Sequence, residues 1–169
     1  MLQQTLIIIK PDGVQRGLTE EIIKRYEAAG LKVVKRKDIM APLEIVEKHY
    51  PMEPEYLKSI GEKTIAAGQA VTSAEDQGRK VVTWLRKFIT SGPVVVLILE
   101  GEDAVVAARK TTGFTDPQTA EKGTIRGDLG TDSILLANKE ERPVYNLIHA
   151  SGSLDEAAKE INLWFGQNS

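Results

Sequence analysis

Two short apolar runs constrain the fold of this chain more than any other feature of its sequence. One covers residues 5–10 and is rich in isoleucine, and the other covers residues 94–99 and consists of valine, leucine and isoleucine. Pro-Asp-Gly ends the first run, and Ser-Gly-Pro precedes the second. Runs of this length and composition, bounded by turn residues, are typical of strands buried in a sheet. The sequence therefore predicts a sheet with two buried strands.

Between and after these runs, the spacing of apolar residues changes between helical and strand-like. Alternation predicts a strand over residues 31–39, and a short apolar segment covers residues 146–150. Helical spacing predicts helices over residues 18–29, 43–50, 79–90, 103–112 and 153–164. This order favours an α+β, ferredoxin-like sandwich, in which a four-stranded antiparallel sheet carries helices on one face. A doubly wound parallel sheet is the alternative, because pattern alone separates the two poorly.

The size and composition of the chain narrow its class. A length of 169 residues, with 41% hydrophobic and 27% charged residues, suits one globular domain over residues 1–169. The net charge of -2 gives no basic excess, so neither nucleic acid nor an anionic membrane is indicated as a partner. Cysteine is absent, which excludes disulfides and thiolate chemistry. The apolar run at residues 6–9 is too short for an export signal or a membrane span, so we expect a cytosolic protein.

Histidine points most directly to chemistry in this sequence. The chain has two histidines and lacks the H-E-x-x-H, P-loop and G-x-G-x-x-G motifs. His149 ends an apolar run and precedes a tight link into a helix, where Ser153 and Glu156 occupy capping-box positions. That position places an imidazole near helix amides that can hold an anion. His49 lies in a short helix before a proline, where a structural role is the better interpretation.

A polar, glycine-rich stretch over residues 113–130 has neither helical nor strand period. It carries the hydroxyl and cationic side chains that a polyphosphate site uses: Thr115, Lys122, Thr124 and Arg126. A solvated loop explains this composition equally well. Taken in isolation, Lys10 after the first strand and Arg109 on a helix are better explained as surface residues.

Several segments, in the same order along the chain, closely resemble those of nucleoside diphosphate kinases. They are TLIIIKPDGVQRGL at 5–18, SGPVV at 91–95 followed by Glu100-Gly101, GTIRGD at 123–128, NLIHAS at 146–151 and EINLWF at 160–165. These segments anchor most of the chain, and their combination is specific. The resemblance implies an enzyme that transfers the γ-phosphoryl group of a nucleoside triphosphate to a nucleoside diphosphate through a phosphohistidine.

The resemblance also implies a role for each matching residue. His149 would be the nucleophile, Ser151 and Glu160 would orient it, and Tyr50 would lie close to it. Phosphates and sugar hydroxyls would be bound by Lys10, Arg109, Thr115, Arg126 and Asn146. Mg²⁺ would be held mainly by nucleotide phosphates and water, without a dedicated protein site. The family also implies a homo-oligomer that takes ATP, GTP and other nucleotides.

The pH dependence follows from the ordinary chemistry of imidazole. An unperturbed histidine has a pKa of about 6.5, and only its neutral form attacks. We therefore expect phosphoenzyme formation to fall as pH drops through about 6 to 6.5.

The chain departs from the family pattern at two insertions, near residues 51–78 and 130–143. The aromatic residue that usually stacks on the base is not evident, and its place falls near Val81, with Leu85 as an apolar wall. We expect the first insertion to form a helical flap beside the cleft, with Tyr56, Leu57 and Ile60 inward. A surface excursion far from the site is the alternative. Gly152 stands where the family usually has an aspartate.

Overall fold

The structure, a computed structural model, describes residues 1–166 and contains one four-stranded antiparallel sheet. Its strands are β1 (Leu2–Ile9), β2 (Lys32–Ile39), β3 (Val94–Glu102) and β4 (Ile148–Ala150). The strand order is β2-β3-β1-β4. The two apolar runs become the central strands, paired from Leu2 opposite Glu102 to Ile9 opposite Val95. The predicted ferredoxin-like sheet is confirmed, and the parallel alternative is wrong.

Nine helices occur in the part of the chain that the structure describes. They are α1 (Pro11–Gln15), α2 (Thr19–Ala28), α3 (Leu43–His49), α4 (Pro54–Ala66), α5 (Ala74–Ile89), α6 (Ala104–Thr112), α7 (Ile125–Leu129), α8 (Ile134–Lys139) and α9 (Leu154–Phe165). The helices α1, α7 and α8 were not predicted, because each is only five or six residues long and too short to show a helical period. Within residues 1–166, no helix is both long and apolar enough to cross a membrane.

The alternation of side chains along β1 divides the core into two layers. Leu6 and Ile8 point to one face of the sheet and Ile7 and Ile9 to the other, and all four are fully buried. The helices α2 and α6 cover the face of Ile7 and Ile9. The opposite face packs against α3, α4, α5 and α9. The expectation of helices on one face was therefore incomplete: central strands that are apolar on both sides need cover on both sides.

Two glycines let the insertion helix α4 pack directly against α5. A Cβ atom at Gly61 would lie 1.8 Å from the carbonyl oxygen of Ala74, and one at Gly78 would lie 1.7 Å from that of Leu57. Larger side chains at these positions would force the two helices apart. Leu57 is fully buried in the same core as Val82. The first insertion is therefore a helix anchored in the core.

Side-chain hydrogen bonds tie the second insertion to the first. Asn138 on α8 accepts a bond from Gln77 Nε2 at 3.2 Å and donates from Nδ2 to Thr64 Oγ1 at 3.4 Å. Thr64 belongs to α4 and Gln77 to α5, and both are buried. Arg142 closes the second insertion by donating to both carboxylate oxygens of Asp132, at 2.6 and 3.0 Å. We call α4, α8 and the first turn of α5 the insertion wall.

Candidate active site

A cavity of about 650 Å³ opens between the insertion wall and the residues around β4 and the end of β1. Basic side chains outnumber acidic ones in its lining: Lys10, Lys48, Lys63, Arg109, Arg126, Arg142 and Lys159 against Glu156 and Glu160. The chain as a whole carries a net charge of -2. A local excess of cations in a concave site favours an anionic ligand.

His149 lies on β4, opposite Ile8 of β1. Its Nε2 is 2.5 Å from Glu160 Oε2. When Glu160 is ionised, its carboxylate accepts this hydrogen bond and holds the ring proton on Nε2. The lone pair is then on Nδ1. Burial and, after it, the charge of Lys10 lower the pKa of His149 to about 3. The imidazole is neutral at neutral pH, and the expectation of an ordinary pKa near 6.5 is wrong because it assumed a solvated ring.

Glu160 reaches His149 from α9, which begins at a helix cap: Ser153 Oγ accepts a hydrogen bond from Glu156 N at 3.1 Å. The Glu160 side chain is buried, and burial raises its pKa to about 8, while the neighbouring side chains of Glu156 and Ser151 act in the opposite direction. A carboxyl group of raised pKa accepts a proton readily. Glu160 is therefore suited to stabilise positive charge that develops on the His149 ring.

His49 contacts His149, which its sequence position did not predict. The two ring centroids are 4.4 Å apart, with the planes at 82°. His49 Nδ1 accepts a hydrogen bond from Trp164 Nε1 at 3.1 Å, and burial keeps the pKa of His49 well below its usual value. The ring is neutral and fixed in place. A histidine in a helix before a proline carries no local signal of this contact.

A hydrogen-bonded chain links the end of β1 to the segment before β4. Lys10 Nζ donates to Asn146 Oδ1 at 2.8 Å, and Asn146 Nδ2 donates to the Thr115 carbonyl at 3.0 Å. Burial, and then the charge of Arg126, lower the pKa of Lys10 to about 7. The other cations in the cavity therefore make the ammonium group of Lys10 more acidic. A bound anion would raise the pKa of Lys10 again.

Arg126 and Arg109 line the cavity in different ways. Arg126 is buried, and its guanidinium donates to the carbonyl oxygens of Gly113 at 3.2 Å, Asn146 at 3.1 Å and Ile148 at 2.5 Å. Burial lowers the pKa of Arg126 to about 10. Arg109 on α6 is exposed and forms no ion pair within residues 1–166. Arg126 thus holds the surrounding loops together, whereas Arg109 is free to meet a ligand.

The remaining predicted residues differ in their distance from the cavity. Tyr50 lines it, with its ring centroid 6.4 Å from that of His149, and its buried hydroxyl has no hydrogen-bond partner among the described residues. Val81 lines the cavity from α5. Ser151 does not line it: its Oγ lies 3.3 Å from both the nitrogen and the oxygen of the Leu6 main chain. Ser151 therefore lies behind the cavity, bonded to the main chain of β1, and its hydroxyl helps to lower the pKa of Glu160.

Five charged residues of the cavity were not predicted as site residues: Lys48, Lys63, Arg142, Glu156 and Lys159. Lys63 belongs to the first insertion, where the family offers no pattern to compare. Glu156 Oε2 accepts a hydrogen bond from the amide of Gly152 at 2.8 Å, and a Cβ at Gly152 would lie 2.5 Å from this oxygen. The carboxylate of Glu156 thus fills the space where a side chain at position 152 would begin. The capping-box prediction had assigned that carboxylate to the amide of Ser153.

The protein atoms that could hold a metal ion are few. Among the described residues, only Glu156 and Glu160 bring carboxylates to the cavity, and each accepts hydrogen bonds already. His49, His149 and Glu160 place one ligand atom each within 4.8 Å of one another. A set with two imidazoles suits a transition metal better than Mg²⁺, which prefers oxygen ligands.

Comparisons with known proteins agree with one another on the family of this chain. Residues 3–169 match the family described as nucleoside diphosphate kinase. A relative named nucleoside diphosphate kinase from Pyrobaculum aerophilum is 46% identical, with 97% of this chain and 95% of the relative covered. One from Staphylococcus aureus is 40% identical, with 99% and 90% covered.

Solved structures give the same result. The crystal structure of an NDP kinase from Pyrobaculum aerophilum has a TM-score of 0.91 and 44% identity, with 99% of this chain and 97% of that chain covered. A Borrelia burgdorferi nucleoside-diphosphate kinase, solved as a transition-state mimic with vanadate and ADP, has a TM-score of 0.80 and 35% identity, with 99% and 89% covered. On these matches, which confirm the resemblance of the separate segments, the chain belongs to the nucleoside diphosphate kinase family of phosphotransferases.

Proposed function

We propose that this chain moves the γ-phosphoryl group of a nucleoside triphosphate to a nucleoside diphosphate through a phosphohistidine on His149. One observation carries the proposal: a neutral imidazole, bonded through Nε2 to Glu160, lies in a cavity lined mainly by cations. A neutral ring offers a lone pair at Nδ1, and the surrounding cations suit the charge of a polyphosphate.

The proposed reaction has two half-reactions that balance. In the first, the Nδ1 lone pair forms a bond to the γ-phosphorus, the bond to the β–γ bridging oxygen breaks, and the nucleoside diphosphate leaves with that electron pair. Glu160 stabilises the positive charge on the ring through the Nε2 proton. In the second half-reaction, the terminal phosphate oxygen of another diphosphate attacks the phosphorus, and His149 recovers its lone pair.

Three basic side chains support the transferred group in this proposal. Lys10, Arg109 and Arg126 line the same cavity as His149, and cations around the equatorial oxygens stabilise the transition state of phosphoryl transfer. Thr115, Asn146 and the free hydroxyl of Tyr50 supply hydrogen bonds for phosphate or sugar oxygens.

We propose that Mg²⁺ enters with the nucleotide. The two carboxylates that line the cavity are already bonded to His149 and to the amide of Gly152, so no cage of protein oxygens is ready for the ion. The lack of free carboxylates fits a Mg²⁺ ion that is held mainly by phosphate oxygens and water. When bound, this ion would neutralise charge on the phosphates.

The base would lie against apolar side chains, one of them aromatic. Val81 and Leu85 of α5 line the cavity together with Tyr56 and Ile60 of α4. This placement supports the hypothesis that the first insertion is a wall of the cleft and not a distant excursion. We propose that the apolar surface of both helices replaces the single stacking aromatic of the family.

Transfer of label tests the proposal. Incubation with γ-³²P-ATP and Mg²⁺ should label the protein, the label should resist base and be lost in acid, and added GDP should receive it. His149→Ala should remove labelling while leaving the thermal unfolding temperature near that of the wild type. His49→Gln is the control, since it alters the other histidine without removing the nucleophile. Label on His49, on a serine or on no residue would refute the mechanism.

We further propose that residues 1–169 form one domain that works in the cytosol as a homo-oligomer. The core of one sheet face contains Leu57 of the insertion as well as Ile8 of the central strand, which supports a single unit. The edge strand β2 leaves backbone groups open for pairing, and Val34, Met40 and Leu43 are exposed in or near it. Light scattering coupled to gel filtration would give the oligomer size, and a monomer at micromolar concentration would refute the assembly.

A further inference from the structure

Lys63 brings a cation into the active-site cavity from the insertion wall. It lies on α4 and lines the same cavity as Lys10, Arg109, Arg126 and His149. None of the family segments recognised in the sequence includes this residue. Through Lys63, the insertion can therefore contact a ligand in the cavity.

The backbone around Lys63 is fixed. Two residues earlier, Gly61 packs against the carbonyl group of Ala74, where even a Cβ atom would not fit. The next residue, Thr64, is buried and hydrogen-bonded to Gln77 at 3.4 Å and to Asn138 at 3.4 Å. These contacts hold α4 in place, so Lys63 projects from a rigid helix and not from a mobile loop.

The surroundings of Lys63 are electrostatically unfavourable without an anion. The positive charge of Lys63 lowers the pKa of both Lys10 and His149. Its own pKa is lowered by desolvation in the cavity first, and then by Arg126 and Arg109, while Glu156 acts in the opposite direction. Within residues 1–166, Lys63 forms no ion pair.

Lys58, one and a half turns earlier on α4, is exposed, as Lys63 is, but only Lys63 lines the cavity. Lys63 shares that helix, yet it lies among three other cations, where like charges repel unless an anion joins them. Because its charge acts on both Lys10 and His149, the anion would be the end of the ligand that reaches the nucleophile.

We propose that Lys63 binds the terminal phosphate of the nucleotide, so that the insertion adds a fourth cation to Lys10, Arg109 and Arg126. This inference rests on the proposed function, because it assumes that a polyphosphate enters the cavity with its last phosphate at His149. The insertion then contributes an apolar surface toward the base and a charge toward the phosphates.

Kinetics of Lys63→Met, with Lys58→Met as the matched control, tests the inference. We expect Lys63→Met to lower kcat/KM for ATP by about 10- to 100-fold, somewhat less than loss of a preorganised, fully desolvated donor. Lys63→Arg should recover part of that loss, since it keeps the charge. Lys58→Met should remain within about twofold of the wild type, since Lys58 is exposed and lies outside the cavity lining. Equal kcat/KM in Lys63→Met and Lys58→Met would overturn the inference.

Binding measurements separate a phosphate contact from a packing effect. In a His149→Ala background, which prevents turnover, calorimetry would give the Kd of Mg·ATP, Mg·ADP and adenosine with and without Lys63→Met. A contact to the terminal phosphate predicts the largest loss of affinity for ATP, a smaller one for ADP and none for adenosine. An equal loss for all three would show that Lys63 only supports the cavity.

Phosphoenzyme formation separates an error about Lys63 from an error about the proposed function. If the wild type forms a base-stable phosphoenzyme and Lys63→Met forms it equally fast at subsaturating ATP, only the role of Lys63 is wrong. If the wild type forms no phosphoenzyme, the function itself is wrong, and with it the inference.

Discussion

The segments 51–78 and 113–130 look alike in sequence, yet they fold for different reasons. Both are interrupted by glycines. In the second, Gly113 and Gly123 have φ angles of +91°, which open the backbone into a loop beside the cavity. In the first, Gly61 and Gly78 lie inside helices, where they permit the contact between α4 and α5. Glycine content alone therefore does not distinguish an open loop from a close contact between two helices.

The two segments are also held by different forces. Leu57 anchors the first by burial in the core, which contributes about 1.5–3 kcal/mol for a leucine. Arg126 anchors the second by three hydrogen bonds to carbonyl groups around it. Polar anchoring leaves amides and hydroxyls of the loop available to a ligand, whereas apolar anchoring gives a rigid wall. Variants of each anchor can test this difference.

The largest expected effect is that of Arg126→Ala. The carbonyl groups of Gly113, Asn146 and Ile148 would lose their bonds to the guanidinium, and two of these bonds are buried. We therefore expect the free energy of unfolding to fall by about 3 kcal/mol, measured by urea denaturation. Catalysis should fall as well, by about 10²- to 10³-fold in kcat/KM.

Arg109→Ala is the control for that variant, because Arg109 is exposed. It should lower kcat/KM on the same scale, about 10²-fold or more, with little change in stability. Equal destabilisation by the two alanines would mean that Arg126 does not anchor the loop.

The next largest effect on the free energy of unfolding should be that of Gly61→Ala, in the insertion wall. The added methyl group would lie 1.8 Å from the Ala74 carbonyl oxygen, an overlap that belongs at the upper end of the usual overpacking cost of about 1–3 kcal/mol, against a gain of about 1 kcal/mol in helix propensity. We expect a net loss of about 2 kcal/mol by denaturation. Lys58→Ala on the same helix should stay within about 0.5 kcal/mol. A stabilised Gly61→Ala variant would contradict the close helix contact.

The pH dependence of the reaction tests whether His149 stays neutral in the cavity. With a pKa near 3, His149 does not gain a proton between pH 7 and about 5, so its own titration should not lower the rate of phosphoenzyme formation at saturating Mg·ATP. Protonation of Glu160, whose pKa burial raises to about 8, lowers the rate from a higher pH. Rapid-quench measurement of the labelled protein would show it. A fall centred near pH 6.5 would indicate a solvated ring.

The same shift in pKa has a consequence for stability. Because the folded pKa lies below the unfolded value of about 6.5, the unfolded chain binds more protons below that pH. The free energy of unfolding should therefore fall as pH drops below about 6.5 toward 3, by at most about 1.4 kcal/mol per pH unit for this group. His149→Ala should make the decline shallower.

The smallest expected effect is that of Gly123→Ala in the loop. Its Cβ would meet no atom within 4 Å, so only the positive φ of +91° opposes it, at a cost of about 1 kcal/mol. Gly113→Ala should cost more, because its Cβ would lie 2.4 Å from Thr124 Oγ1. If Gly123→Ala and Gly61→Ala lowered the free energy of unfolding equally, the distinction between the two glycine-rich segments would be wrong.

Local pattern predicted much of this molecule, and its failures have physical causes. The strands β1 and β3 and the helices α2, α6 and α9 were predicted because apolar residues recur with a clear period. The short helices α7 and α8 were missed because each is held by caps and tertiary contacts: Thr124 and Ser133 accept hydrogen bonds from the first turn of each. His49, Lys63 and Glu156 were missed because no local pattern marks a contact between distant segments.

The sequence by itself determined the central strands, the family and the set of residues to look for, because strand periodicity and short motifs are local properties. Only the tertiary structure decided which side chains share one cavity and how each is charged. Contacts across 136 positions, such as that of Lys10 with Asn146, form only when the sheet brings β1 and β4 together. The pKa of His149 depends likewise on burial and on neighbouring charges, which exist only once the chain has closed around the ring.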